Sequence, residues 1–304
     1  MEKTTNPLQA PRIKPNLPLL TTPKTSDKNG NTTTTNIRIA TQGYTNPDGT
    51  PMSEADQITP EWITECSDQI KRRCDKAKEE QTKRTKKNAE VFTPLPTVKH
   101  MIDAAENNME IDPTQPEWKQ RITSRTLEIA CGEGPFITSR YDPITGEPVE
   151  EQDRVGMLDR KLRLLKDRDY LTIEWKLEYL YIALQQTYGV EYQGDNLLIA
   201  RANVFLTWYE AFEAVIGSAP IKGACIVACE IITNTITQAD FLTGLLPTTT
   251  DQISLLAVYE DSELKEYAHP YYDTAQAQEQ AKKKQPRRRR KKTAARRPRA
   301  KQTT

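Results

Sequence analysis

The sequence predicts an α/β domain on a mainly parallel sheet, and three observations carry that prediction. Short strand-like runs, "RTLEIAC" (125–131) and "GVEYQG" (189–194), lead into glycine or end around an acid. Each is followed by longer stretches with helical spacing, the alternation that lays helices over a parallel sheet. Between Val91 and Pro247 the composition is globular, whereas both ends of the chain are polar and poor in aromatic residues.

The elements follow in order. Residues 1–57 are rich in Thr, Asn and Pro, with "NGNTTTTN" at 29–36, and read as a disordered segment too poor in apolar surface to offset ordering entropy. Residues 58–90 read as one charged helix, with Thr59 as cap and Pro60 at the first position. Its basic half, Lys71 to Lys87, offers either a phosphate contact or a solvated face. A helix pattern covers "TPLPTVKHMIDAAENN", residues 141–153 are turn-rich, and "RVGMLD" (154–159) reads as a short strand. In 170–187, Leu171, Trp175, Tyr179 and Ile182 make one apolar stripe and Ile173, Leu177, Leu180 and Leu184 another. A helix striped on two sides is buried over much of its surface. A further helix runs from Asn196 to Ile216, and "CIVACEIITNTITQADFL" is an apolar segment reaching Asp240. Residues 248–273, with the apolar run "ISLLAVYE", form a C-terminal segment, and 274–304 a basic disordered tail.

Composition narrows the function classes. With 36% apolar residues and a mean hydropathy of −0.73, part of the 304-residue chain does not pack. The net charge of +1 hides an asymmetry: 13 Lys and Arg fall in 282–304 with no acid, leaving 30 bases against 42 acids before them. Cys66, Cys74, Cys131, Cys225 and Cys229 show no CxxC spacing, and His100 and His269 are the two histidines, which disfavours a zinc site. No secretory leader or membrane-spanning run is evident, so the chain reads as a soluble, cytoplasmic protein with no membrane partner.

The chemistry starts at "LEIACGEGPF". Gly132 and Gly134 stand just past a strand, where a parallel sheet opens its ligand crevice and glycine allows close approach of the backbone. No third glycine completes a dinucleotide fingerprint, and no Gly-Lys-Ser/Thr makes a P-loop. Glu128-Ile129-Ala130-Cys131-Gly132-Glu133-Gly134-Pro135-Phe136 resembles the first motif of class I methyltransferases that use S-adenosylmethionine, in particular the DNA adenine methyltransferases of restriction-modification systems. Upstream, "EVFTPLPTVKHMID" is similar to the family's cofactor-binding segment.

The resemblance implies a Rossmann-like class I methyltransferase fold over about 91–247, possessing the cofactor-binding half. It implies S-adenosylmethionine as cofactor, with Thr93, Pro94, Glu128, Ala130, Cys131, Gly132, Gly134 and Phe136 around its methionine end. Two acids compete to hold the ribose. Asp159 lies at the family's usual distance from the glycines, whereas Glu191 precedes "LLIARANVFL", which resembles the family's following helix and favours Glu191. Taking Glu191 makes 140–187 an insertion. "ITQADFL" resembles the third motif, with Asp240 toward the cofactor's adenine.

One family feature is missing. The chain has no Pro-Pro pair, hence no Asn/Asp-Pro-Pro-Tyr to receive a flipped base, and "HPYY" at 269–272 reads as a turn. The resemblance therefore implies a modification subunit whose catalytic tetrad comes from a second methyltransferase or restriction subunit. No Asp…Asp/Glu-x-Lys pattern suggests a nuclease centre. The alternative is a non-catalytic DNA-binding or decoy protein with a vestigial fold. In the tail, Arg287, Arg288, Arg289, Arg290, Lys291, Lys292, Arg296 and Arg297 suit the phosphates of double-stranded DNA, bound by counterion release.

Overall fold

A computed structural model describes residues 6–22, 24–26, 32–34, 36–88, 90–242 and 247. These belong to one unit, Met1–Ala268; a second, His269–Thr304, lies outside them. An antiparallel ribbon, β1 (Lys24–Ser26) and β2 (Thr32–Thr34), precedes the main body. The main sheet holds three parallel strands, β3 (Thr126–Glu128), β4 (Thr187–Glu191) and β5 (Ile236–Gln238), in the order β3–β4–β5. The mixed α/β class expected from the alternation of strands and helices is what the described residues form.

Helices α1 (Pro60–Cys66), α2 (Lys78–Asn88), α3 (Leu95–Asn107) and α4 (Glu117–Thr123) come before β3. Helices α5 (Met157–Lys166) and α6 (Ile173–Gln185) fill the β3–β4 crossover, and α7 (Gly194–Ile216) and α8 (Lys222–Thr235) fill the next. Central β4 is buried at every residue, as a parallel strand covered on both faces must be. Helix α7 is apolar on most sides and carries the core, with fully buried Trp208 packed on Tyr181, Phe212 and the equally buried Phe205. Residues 140–187, read as an insertion, contribute Leu158, Leu162, Leu165, Leu180 and Leu184 to the same core.

Three expectations are corrected. The disordered segment expected over 1–57 holds core residues instead: Leu8, Ile13, Leu17, Leu20, Ile37 and Ile39 are buried. Its 3₁₀ turns at Pro7–Gln9 and Lys14–Thr21 use proline-fixed backbone, and the second packs between α1 and α8. Buried Arg201 ties it down, donating to the carbonyls of Leu20 (2.5 Å), Ile236 (2.9 Å) and Thr233 (3.2 Å). The charged helix expected over 58–90 is broken between α1 and α2, where buried Ile70, Arg72 and Lys76 turn the chain inward. The strand expected at 154–159 is the start of α5: the Gly156 and Ser139 N–H groups both donate to Asp159 Oδ2, at 3.0 and 2.8 Å.

Among the described residues, no helix is long and apolar enough to cross a membrane.

Candidate functional site

The C-terminal ends of the three parallel strands converge on the glycine loop. Past β3 the chain turns through Gly132 (φ +55°) and Gly134 (φ +83°), left-handed backbone that a Cβ disfavours. A Cβ at either position would sit in ordinary contact, 3.4 Å from Ala200 Cβ for Gly134 and 3.5 Å from the Phe92 ring for Gly132. The Cys131 N–H donates to the Val190 carbonyl (2.9 Å), which ties the loop to β4. Buried Glu133 accepts from the Arg73 N–H and from the Tyr141 hydroxyl (2.7 Å), while Asn203 Nδ2 donates to the Glu133 carbonyl (3.0 Å). The residue between the two glycines thus anchors the loop.

Glu191 ends β4 directly beside this loop. Its Oε2 accepts from the Gly132 N–H at 2.8 Å and its Oε1 from the Gln193 N–H at 2.9 Å. Burial pushes its carboxyl up to about 7, against the lowering effect of those two backbone donors. Asp240 follows Ala239, whose N–H donates to the Glu191 carbonyl (3.1 Å), and accepts from the Leu242 N–H (2.9 Å). Gly132, Glu191 and Asp240 therefore share one end of the sheet. Asp159 does not join them, being committed to capping α5.

The segment before α3 reaches the same loop. Phe92 is buried on Gly132 with the Arg73 guanidinium over its ring at 5.1 Å, and Thr93 and Pro94 follow it into α3. What holds this segment is a buried charge cluster. Arg84 Nε pairs with Glu90 Oε2 (2.6 Å), two residues before Phe92, and Arg84 and Lys76 both pair with Asp195 (2.9 and 3.1 Å). The Tyr44 hydroxyl also donates to Asp195 (2.8 Å). Of the basic stretch 71–87, Arg72, Lys76 and Arg84 thus serve the interior, while Lys78, Lys83, Lys86 and Lys87 are exposed.

Other motif residues part company. Ala130 is exposed, and Cys131 is buried, its thiol pushed up by that burial, so it is a packing residue. Glu128 and Phe136 line a separate groove of about 860 Å³ beside β3. Its apolar lining comes from Met101, Ile102 and Met109 on one side and Met157 and Leu164 on the other. Arg121, Arg125, Arg160, Lys161, Arg163 and Arg168 line it too, against Glu106, Glu128 and Asp167. Burial pushes the Glu128 carboxyl up to about 7 and the Lys161 ammonium down to about 7.

The motif reading overlooked several side chains. Ile129, Tyr192 and Leu242 are exposed apolar groups that come directly after, or close behind, the ends of β3, β4 and β5, where a flat apolar ligand would lie. Tyr192 was legible in principle, as the residue that follows the strand-ending acid. Among the described residues, no group of three or more His, Cys, Asp or Glu could hold a metal ion. The tail residues Arg287 to Arg297 lie outside the described residues, as does His269–Tyr272. Comparison with family models, curated proteins and solved structures finds no match to this chain.

Proposed function

We propose that the crevice binds S-adenosylmethionine and that the chain is a cytoplasmic, DNA adenine-N6 methyltransferase-like modification subunit with a Rossmann-like class I methyltransferase fold. The observation that carries this reading is Glu191 at a strand end, 2.8 Å from the amide of a left-handed glycine. A carboxylate there accepts from both ribose hydroxyls, as acids at the second strand of nucleotide-binding sheets do. The glycine loop allows the methionine end to lie against backbone, Asp240 accepts from the adenine amino group, and Tyr192 offers a ring to the adenine face. The strand order supports the fold, since three adjacent parallel strands with helical crossovers make up half of a doubly wound sheet.

Adenosylmethionine supplies an electrophilic methyl group when bound. The residues that would receive the target base are assigned to a partner methyltransferase or restriction subunit, because this chain has no Pro-Pro pair. The tail around Arg287–Arg297 holds double-stranded DNA through its phosphates.

Calorimetry with adenosylmethionine tests the reading. Wild type binds at roughly micromolar strength, and Glu191→Ala weakens binding at least tenfold through the lost ribose hydrogen bonds. Absence of binding by the folded wild type overturns it. The missing Pro-Pro pair also favours a second reading, a DNA-binding chain with a vestigial cofactor fold. DNA binding without cofactor binding supports that one, whereas methylation of DNA by the purified chain alone removes the need for a partner.

A further inference from the structure

Helices α3 and α5 flank the groove of about 860 Å³ beside β3, and much of its apolar lining is left unburied. Met101 and Ala105, one turn apart on α3, are exposed, while Met109, Leu127, Met157 and Leu164 are half-buried. Three of the chain's five methionines stand here. Unbranched thioethers adapt their shape to an occupant, and the volume is that of a small-molecule site.

The charged lining is short of acids. Among the described residues, the buried Lys161 ammonium donates only to the carbonyls of Ser124 (2.7 Å) and Gln186 (2.8 Å) and to the hydroxyls of Thr126 and Thr187 (both 3.2 Å). Arg163 donates to the carbonyls of Glu151 (2.9 Å) and Arg154 (2.6 Å). Arg121 and Arg160 are engaged by Glu117, Asp103 and Glu106. Arg168, just past the end of α5, differs from all of these. Its guanidinium has no hydrogen bond or ion pair among the described residues, and it lies over the Trp118 ring, 5.3 Å from the ring centre. Trp118 is held in turn by an edge contact with Tyr179 at 5.2 Å. A guanidinium fixed on an aromatic face keeps its edge donors for a planar, two-oxygen acceptor. Glu128 on the groove floor opposes an anion little, because burial pushes its carboxyl up to about 7.

We propose that this groove binds a free long-chain carboxylate, with the head on Arg168 and the unbranched tail between the methionines of α3 and α5. The length fits: at 1.5 Å per residue, the wall from Met157 to Arg168 runs ~16 Å, about that of an extended dodecanoate. The charge fits too, since an anion beside Lys161 and Arg168 offsets two cations that lack an acid of their own. Leu127, Glu128 and Phe136 flank the glycine loop in sequence, so the occupant rests on both the entry and the exit of that loop. The inference is independent of what the crevice binds.

Titration of the full-length protein, isotope-labelled at its methionine methyls, with dodecanoate tests it. The methyls of Met101, Met109 and Met157 shift with a Kd of ~100 µM or tighter, while Met52, buried in the N-terminal core, does not move. Dodecyltrimethylammonium, with the same tail and the opposite charge, binds at least ~10-fold more weakly, and so does dodecanoate to Arg168→Gln. Should Arg168→Gln fail to fold, Ala105→Glu decides, because it sets a carboxylate on the exposed wall and weakens binding at least as much. Unmoved groove methyls overturn the proposal, as do equal binding of the ammonium amphiphile, wild-type affinity in a folded Arg168→Gln, or Met52 shifting with the rest. Two other results assign the groove elsewhere and also overturn it. Binding to phosphatidylglycerol vesicles without any response to dodecanoate makes it a membrane contact, and methyl shifts that follow protein concentration make it a contact between copies.

Discussion

Glu191 and Asp195 are buried carboxylates four residues apart, and the chain treats them in opposite ways. Burial opposes the charge of Asp195, but Lys76 and Arg84 outweigh it and hold the carboxyl well below the usual range. Glu191 has two backbone N–H donors and, among the described residues, no ion pair, and burial pushes it up to about 7. The first is a closed cluster that fixes structure. The second is under-compensated, and a carboxylate of that kind gains from any ligand that brings further donors. The two are coupled mechanically, since Arg84 also holds Glu90 and so seats Phe92 on the glycine loop.

The largest effect is expected from breaking the closed cluster. Arg84→Ala leaves Asp195 and Glu90 short of their main counter-charge and should cost ~3–5 kcal/mol in urea unfolding. The pH dependence has a definite sign. The folded value for Asp195 lies below its unfolded value of about 3.9, so its contribution is full above that value and is lost as pH falls. An Arg84→Ala cost no larger than that of an exposed pair such as Lys87–Glu54, ~1 kcal/mol or less, would erase the distinction between the two carboxylates.

A smaller effect is expected at Glu191, with the opposite sign. Its folded value lies above the unfolded value of about 4.3, so this group's contribution is greatest below pH ~4.3 and declines until about 7. Relative to wild type, Glu191→Gln should gain up to about 3 kcal/mol across that window and stay level above it. Ligand binding reports the same titration: adenosylmethionine affinity should rise from pH 6 to pH 8 in wild type and stay flat in Glu191→Gln. A pH-independent wild-type affinity would count against ribose contact with the carboxylate.

These contrasts explain what the sequence made legible. Gly132 and Gly134 stood out because left-handed backbone after a strand selects glycine, and Glu191 because the helix behind it carries Arg201 and Asn203. Both of those have structural reasons: Asn203 pins the Glu133 carbonyl and Arg201 binds β5 to the N-terminal segment. The N-terminal core was hidden because Leu8, Ile13, Leu17 and Leu20 sit in proline-rich 3₁₀ turns without helix or strand period. Arg84 was hidden by its lysine-rich neighbours, because a periodic charge pattern does not reveal which cation meets a buried acid. Asp159 competed with Glu191 through spacing alone, since an acid three residues into a helix can cap it as readily as an acid can end a strand.

The finest test separates the two glycines of the crevice. Alanine at either position must adopt a left-handed backbone, at ~1–2 kcal/mol. Beyond that common cost their neighbours differ. A Cβ on Gly134 meets Ala200 Cβ and Cα on the rigid helix α7, whereas one on Gly132 meets the far edge of the Phe92 ring. Both contacts are of ordinary length, but the one on Gly134 is the shorter and α7 yields less than a ring, so Gly134→Ala should be the more destabilising in urea, by a few tenths of a kcal/mol. The Phe92 ring can shift, and Thr93 and Pro94 shift with it, so Gly132→Ala should lose more ligand affinity while keeping more stability. Calorimetry and unfolding on the two variants should therefore rank them in opposite orders. The same order in both measurements would mean that Phe92 does not transmit the glycine loop's position to the binding segment.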